Sequence, residues 1–139
     1  MRIAVIGAGQ FGRKHIQTIQ DNHELSLVGV ADPAYQGPNG FADYRDMLDK
    51  AKPDGVIIAT PNTTHVPVGL ACVQRGVPLL VEKPIAGTVE HALELVGAAD
   101  NAGVPLLVGH HRRHNPIVEK ARELVQGGAL GRLTAVGGL

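Results

Sequence analysis

Short apolar runs alternate with amphipathic stretches along the whole chain, and this alternation limits the folds open to it. The runs lack polar alternation and read IAVIG (3–7), LSLVGVAD (25–32), DGVIIAT (54–60), PLLVE (78–82) and PLLVGH (105–110). Such strands are typical of a parallel sheet covered on both faces. Because crossovers between parallel strands are right-handed, the pattern predicts an α/β fold of the Rossmann type, a doubly wound, mostly parallel sheet with helices on both faces.

Apolar residues at helical spacing predict which side of each helix faces inward. The predicted inward positions are Phe11, His15, Ile16 and Ile19; Val89, Leu93 and Val96; and Ile117, Ala121, Leu124 and Val125. The last helix is predicted to begin at Asn115–Pro116 and to end at Gly127–Gly128, because these residues suit helix ends. Residues 33–43 are rich in Pro and Gly and predict a loop with at most a vestigial strand, whereas LTAVGGL (133–139) resembles a further strand.

Composition excludes several classes of protein. The 139 residues carry 13 basic and 13 acidic side chains, and 3% are aromatic, so neither a basic surface nor a base-stacking surface for nucleic acid is indicated. The single cysteine, Cys72, excludes an intrachain disulfide framework and favours a reducing compartment. No apolar run approaches the length that spans a bilayer. We expect a cytoplasmic protein without a membrane partner.

The stretch VIGAGQFG places glycines where a dinucleotide-binding turn has them. Gly7, Gly9 and Gly12 have G-x-G-x-x-G spacing between a predicted strand and a predicted helix. The glycines would allow a tight turn, close approach of a pyrophosphate and close helix–strand packing, with Gln10 and Phe11 completing the loop. The helix N-terminus would then face the phosphates. The alternative is a glycine-rich turn that serves packing alone.

A carboxylate ends the second predicted strand. Asp32 lies twenty residues after Gly12, where it can accept hydrogen bonds from the adenosine ribose. The alternative is that Asp32 merely starts a turn before Pro33. The carboxylate would repel a 2′-phosphate, so NAD is predicted and NADP is the less favoured cofactor, although Arg13 could reach this position.

The stretch ATPNTTH (59–65) follows the strand predicted to lie beside the first one. The crevice between those two strand ends is where ligands bind in open α/β sheets. Thr60, Pro61, Asn62 and His65 are therefore predicted to border the nicotinamide half of the cofactor. The alternative is that Asn62 and the threonines cap the next helix and that His65 is structural.

Two adjacent charges end the next apolar strand. Glu82 and Lys83 precede Pro84 at a strand end, and buried charges there are costly unless they have partners. On this edge Lys83 could hydrogen-bond a substrate oxygen or the nicotinamide ribose and stabilise negative charge on oxygen during hydride transfer. The isomer of the Lys83–Pro84 bond is not determined by sequence. The alternative is a surface ion pair before a turn.

The stretch GHHRRHNP (109–116) contains three histidines and two arginines. It has no cysteine or carboxylate at a familiar metal-binding spacing, so no metal site is predicted. Its arginines, Arg113 in particular, suit an anionic or polyhydroxyl ligand, or an ion pair at a domain boundary.

These motifs together resemble the nucleotide-binding domain of the Gfo/Idh/MocA oxidoreductase family. GAGQFG, Asp32, ATPNTTH, VEKP and VGHHRRHNP carry the resemblance, which covers nearly the whole chain. It implies that Lys83 lies beside the nicotinamide and contacts the reacting hydroxyl or carbonyl, and that the substrate is a sugar, a polyol or a related hydroxy compound.

The resemblance also implies a second domain that supplies an acid/base histidine, which none of His110, His111 and His114 matches. Residues 1–128 are accordingly expected to form the dinucleotide-binding domain, and residues 129–139 a junction into an absent substrate domain. The chain alone is then expected to bind NAD without activity and to self-associate. A non-enzymatic dinucleotide sensor and another small Rossmann reductase, of the homoserine dehydrogenase or dihydrodipicolinate reductase type, are the alternatives.

Overall fold

The protein has a central parallel sheet, seen in a computed structural model that describes residues 1–135 and 137. The chain divides into two compact units, Met1–Gly109 and His110–Leu139. The strands of the first unit are β1 (Arg2–Ile6), β2 (Ser26–Ala31), β3 (Gly40–Phe41), β4 (Gly55–Ile58), β5 (Leu79–Val81) and β6 (Leu106–Val108). They are paired in parallel in the order β3-β2-β1-β4-β5-β6. This is the Rossmann order, and the predicted fold class is confirmed.

Helices cover both faces of the sheet. They are α1 (Gln10–Asp21), α2 (Tyr44–Ala51), α3 (His65–Val73) and α4 (Val89–Ala102). Ile16 and Ile19 of α1 pack with Val5 and Val30 of the sheet on one face. The helices α2, α3 and α4 pack on the opposite face, against Ala4 and Ile6 of β1 and against Val56 and Ile58 of β4. The sheet is therefore buried on the face of α2, α3 and α4, whereas on the face of α1 Ile57 and Leu80 are half-buried and Leu107 is 65% exposed.

Side-chain caps mark where α2 and α4 begin. Asp43 accepts hydrogen bonds from the backbone of Arg45 and Asp46 at the start of α2, and Thr88 accepts one from His91 at the start of α4. Such caps satisfy helix N–H groups that have no partner within the helix. The predicted loop at 33–43 is confirmed, with β3 as its two-residue strand.

The predicted inward faces of α1 and α4 need correction. Phe11 is 45% exposed, and Val89 and Leu93 are 69% and 65% exposed. On α4 the buried residues are Leu95 and Ala99. Leu95 packs where α3 has Gly69, and a Cβ at Gly69 would lie 2.8 Å from Leu95 Cδ1. The recess at this glycine therefore sets which side of α4 faces inward, and the apolar spacing of α4 alone does not reveal it.

The second unit contains a 3-10 helix, His111–His114, and α5, Pro116–Gln126. Asn115 Oδ1 accepts a hydrogen bond of 2.9 Å from the backbone of Ile117, so the predicted start of this helix is confirmed. The four residues predicted to face inward, Ile117, Ala121, Leu124 and Val125, are all exposed. The described residues of this unit form one helix and one helical turn, which provide no second layer to bury such a face.

The predicted final strand, 133–139, lies partly outside the described residues. Residues 133–135 and 137 are in no regular element, and residues 136, 138 and 139 are outside the described part of the chain. Among the described residues, no helix combines the length and the apolar character needed to cross a lipid bilayer.

Cys72 is a packing residue of α3. Its side chain is 0% exposed, and burial raises the pKa of its thiol to about 12. Only a thiolate reacts with alkylating reagents. We therefore expect iodoacetamide at pH 8 to label native Cys72 about a thousandfold more slowly than the denatured chain, since each pKa unit changes the thiolate fraction tenfold. Mass spectrometry with and without denaturant measures both rates, and equal rates would contradict this description.

Candidate dinucleotide-binding site

Three of the predicted site segments follow the carboxyl ends of neighbouring strands. The glycine loop follows β1, residues 59–62 follow β4, and Glu82–Pro84 follow β5. Because the strands are parallel and adjacent, these segments share one edge of the sheet. Asp32 follows β2 on the same edge. The predicted grouping of these residues within the first unit is therefore present.

The glycine loop packs tightly against the residues that follow β4. Gly7 has a φ of +93°, and a Cβ there would lie 2.7 Å from the carbonyl oxygen of Ala59. A Cβ at Gly12 would overlap the carbonyl oxygen of Gly7. Any larger residue at either position would force the turn and α1 apart. Packing is therefore one real function of these two glycines.

Gly9 differs from the other two glycines. A Cβ at Gly9 would meet no atom within 4 Å, so the residue faces open space and no internal contact requires a glycine there. It is also the N-cap of α1, where no side chain accepts a hydrogen bond from the first turn and no acidic residue is present. The first N–H groups of α1 are thus available to an anion beside open space.

Asp32 is held against the glycine loop. Its Oδ2 accepts a hydrogen bond of 2.7 Å from the backbone of Ala8, and its Oδ1 accepts one of 2.8 Å from Ala34. The second bond forms the turn that the sequence offered as an alternative role. Each carboxylate oxygen has further acceptor capacity, and the carboxylate lines a cavity of about 460 Å³ together with Arg13 and Tyr35. Asp32 is thus both a turn residue and an acceptor that faces a cavity.

Thr60 provides a buried hydroxyl that lacks a partner. Its Oγ1 is inaccessible to solvent and makes no hydrogen bond with any residue that the structure describes, although buried polar groups are normally paired. The residue lies against the glycine loop, since a Cβ at Gly7 would be 2.8 Å from Thr60 N. Because Oγ1 itself is inaccessible, a ligand at this edge would contact other atoms of Thr60, which as a residue is half-buried.

Pro61 and Asn62 lead into α3. Asn62–Thr64 form a 3-10 helix, and Thr64 Oγ1 donates a hydrogen bond of 2.7 Å to the carbonyl oxygen of Pro61. Both Pro61 and Asn62 are exposed, as a contact with a ligand requires. Asn62 makes no side-chain cap at the start of this 3-10 helix.

His65 has the structural position that the sequence offered as the alternative. Its side chain is 1% exposed, and its two ring nitrogens lie 2.8 Å from the carbonyl oxygens of Pro84 and Thr60. The ring faces backbone on both sides. Direct contact between this side chain and a cofactor does not fit the structure.

Glu82 has partners that satisfy its charge at the strand end. Its Oε1 lies 2.9 Å from Nε2 of His15 on α1, and its Oε2 accepts a hydrogen bond of 3.2 Å from the backbone of Lys83. The Glu82 side chain is 13% exposed. His15 was not predicted as a site residue. The two residues are 67 positions apart, so no local pattern links them. The one signal in the sequence was the charge of Glu82 at a strand end, which needs a partner.

Lys83 is exposed and lies next to the glycine loop. Its Nζ is 5.6 Å from the ring centroid of Phe11, which is also 5.6 Å from Nζ of Lys14. Cations over an aromatic face are attracted at such distances. The peptide bond between Lys83 and Pro84 is cis. The structure thus brings together Lys83 and Phe11, two residues that the sequence assigned to the site separately.

Arg113 and the histidines near it belong to the second unit. Arg113 is in the 3-10 helix His111–His114, and its assignment to substrate binding stays a prediction. Within residues 1–135 and 137, no group of three or more His, Cys, Asp or Glu side chains could hold a metal ion.

The fold and this edge of the sheet define a dinucleotide-binding Rossmann domain. Residues 1–110 match the profile of the oxidoreductase family with an NAD-binding Rossmann fold, Gfo/Idh/MocA. The chain belongs to this family and comprises its NAD-binding domain. The resemblance found in the sequence motifs is confirmed.

Individual relatives agree with this assignment. The chain is 34% identical over 143 residues to the rhizopine catabolism protein MocA of Rhizobium meliloti, covering 97% of this chain and 45% of the relative. It is 35% identical over 145 residues to inositol 2-dehydrogenase 2 of Saccharopolyspora erythraea, covering 95% and 42%. The WlbA dehydrogenase of Bordetella pertussis, solved with NADH and UDP-GlcNAcA, superimposes with a TM-score of 0.87 at 28% identity, covering 94% and 43%. The chain thus spans less than half the length of these relatives.

Proposed function

We propose that the chain supplies the NAD-binding half of a dehydrogenase that moves hydride between nicotinamide C4 and a secondary alcohol carbon of a sugar, a polyol or a related hydroxy compound. The observation that carries the proposal is Lys83, an exposed ammonium at the end of β5 beside Phe11 of the glycine loop. The names of the relatives, which include inositol 2-dehydrogenases, support a polyhydroxyl substrate.

The glycine loop is proposed to hold the pyrophosphate of NAD, and Asp32 is proposed to hold the adenosine ribose. The backbone N–H groups at the start of α1 would bind the pyrophosphate beside Gly9, Gln10, Phe11 and Gly12. Asp32 would accept hydrogen bonds from the ribose hydroxyls in the cavity it lines. A 2′-phosphate would lie against this carboxylate, and like charges repel. This favours NAD over NADP.

The segments after β4 and β5 are proposed to face the reacting end. Thr60, which is half-buried beside the glycine loop, would border the nicotinamide half. Pro61 and Asn62 would border the ring. When bound, NAD accepts or returns the hydride. Lys83 would donate a hydrogen bond to the substrate oxygen and stabilise the negative charge that develops on it.

Other features of the whole protein are proposed as well. The single cysteine supports a reducing, cytoplasmic compartment. We also propose that copies of this chain associate with one another, as expected from the sequence. The proton acceptor is proposed to lie in a further domain, in line with the share of the relatives that this chain covers.

A hybrid protein tests the proposed activity. This chain replaces the matching segment of inositol 2-dehydrogenase 2 from S. erythraea, and NAD reduction is followed at 340 nm with myo-inositol and a panel of polyols and sugars. We expect reduction of NAD by the hybrid and none by the chain of 139 residues alone. A hybrid that binds NAD but reduces it with no member of the panel would contradict the proposal and favour a dinucleotide sensor.

A further inference from the structure

His65 connects two loops of the candidate site from beneath. Its side chain is the one polar or charged side chain among the buried residues of the described part of the chain, at 1% exposure. Nδ1 lies 2.8 Å from the carbonyl oxygen of Pro84, and Nε2 lies 2.8 Å from that of Thr60. A carbonyl oxygen only accepts, so one contact is a hydrogen bond in either neutral tautomer and both are in the imidazolium.

The two carbonyl groups belong to segments that have left the sheet. The ladder between β4 and β5 ends with the pair Ile58 and Val81, followed by a hydrogen bond of 2.9 Å from Glu82 N to Ile58 O. Thr60 and Pro84 lie beyond this last bond. His65 therefore links the two segments where backbone pairing between β4 and β5 has ended.

The rigid position of His65 comes from α3. It is the first residue of that helix, and the first turn is anchored in the core by Val66 and Val68, which are 8% and 4% exposed. A buried side chain on a packed helix has few alternative rotamers. The imidazole is thus a fixed group that the carbonyl oxygens of both loops contact.

We propose that His65 is a positioning residue for Lys83, holding the Glu82–Pro84 segment at a fixed distance from the segment that carries Thr60. The proposal rests on the proposed function in that Lys83 is the residue that meets the substrate. A lysine side chain has many rotamers, so the backbone beneath it must be fixed if the ammonium is to reach one place. Pro84 directly follows Lys83, and its carbonyl group is the one that His65 contacts.

Phe11 provides a reporter for the position of Lys83. Because Lys83 Nζ lies 5.6 Å from the Phe11 centroid, the aromatic ring current shifts the NMR signals of the Lys83 ε-methylene. These signals can be assigned by their loss in Lys83→Arg, and the ring-current shift by its loss in Phe11→Leu. The measurement needs no cofactor, so it does not depend on whether the chain binds NAD.

The test compares His65→Gln with Val68→Ala in the apo chain. Gln can reach one of the two carbonyl groups but not bridge both, whereas Val68→Ala removes buried volume from the same helix. We expect both variants to lower the melting temperature, but only His65→Gln to return the Lys83 ε-methylene shift toward that of the lysines other than Lys14, which lies at the same distance from Phe11. An unchanged Lys83 shift in folded His65→Gln would overturn the proposal. A Lys83 shift that is the same in Phe11→Leu as in the wild type would also overturn it.

A measurement on the wild-type chain covers the case in which His65→Gln does not fold. The ring N–H of His65 is expected to exchange with solvent far more slowly than that of His23, which is exposed. Equal exchange of the two rings would show that His65 is not held between the carbonyl groups and would overturn the proposal. Failure of the proposed function is distinguished by a separate NAD titration, because both readouts are made without cofactor.

Discussion

Replacing Gly9 by alanine is expected to weaken NAD binding while leaving the fold intact. A Cβ at Gly9 meets no atom within 4 Å, and its φ of −67° is open to alanine. Gly→Ala at a compatible position stabilises a protein by about 0.4–1 kcal/mol through the unfolded chain. The methyl group would occupy the space assigned to the pyrophosphate. Losing one charge-assisted hydrogen bond of about 1.5–3 kcal/mol would reduce affinity ~10- to 150-fold.

Gly12→Ala is the matched variant, because the same methyl group there would overlap the carbonyl oxygen of Gly7. Overpacking of this kind costs about 1–3 kcal/mol of folding free energy. Urea unfolding followed by circular dichroism, with NADH titration of each folded variant, separates the two effects. A Gly9→Ala chain that binds NADH as tightly as the wild type would mean that the loop serves packing alone.

Lys83→Met in the hybrid enzyme is expected to lower kcat by about 10²–10³, the usual loss when one donor to a developing oxyanion is removed. Methionine keeps much of the apolar side chain and removes the ammonium. NAD affinity should change little, because the proposed partner of Lys83 is the substrate oxygen. Steady-state kinetics of the hybrid with its best substrate provide kcat and KM separately.

Lys14→Met is the control for this variant. Lys14 Nζ lies at the same 5.6 Å from the Phe11 centroid, but Lys14 is on α1 and not at the end of a strand. Its loss should leave kcat within about twofold, as is usual for an exposed charge with no direct partner in the reaction. Equal losses in the two variants would remove Lys83 from its proposed role.

The fold was predictable because its signals are local. Continuous apolar runs predicted the parallel strands, and the predicted start of the last helix at Asn115–Pro116 is the one that α5 has. The grouping of site segments followed from the strand order, since parallel strands place their carboxyl ends at one edge. Asp32 was predicted as a ribose acceptor, with a turn residue as the alternative, and its hydrogen bond from Ala34 accounts for the turn role.

The parts that sequence did not reveal depend on contacts between distant residues. The partner of Glu82 is His15, and the bridge made by His65 joins residues 5 and 19 positions away from it. The buried face of α4 is set by the recess at Gly69. The cis bond at Lys83–Pro84 was undetermined, because the two isomers of an X–Pro bond differ by only about 0.5–1 kcal/mol.

Calorimetric titration of the chain with NAD and NADP, repeated with Asp32→Ala and Asp32→Asn, tests the proposed site most directly. We expect the wild type to prefer NAD. Asp32→Ala should lose at least ~10-fold in NAD affinity, the effect of one charge-assisted hydrogen bond. Asp32→Asn keeps the shape of the side chain and removes the charge, so it should lower the ratio of NAD affinity to NADP affinity. A folded chain that binds neither dinucleotide, or that binds NADP more tightly than NAD, would contradict the assignment of the glycine loop and Asp32.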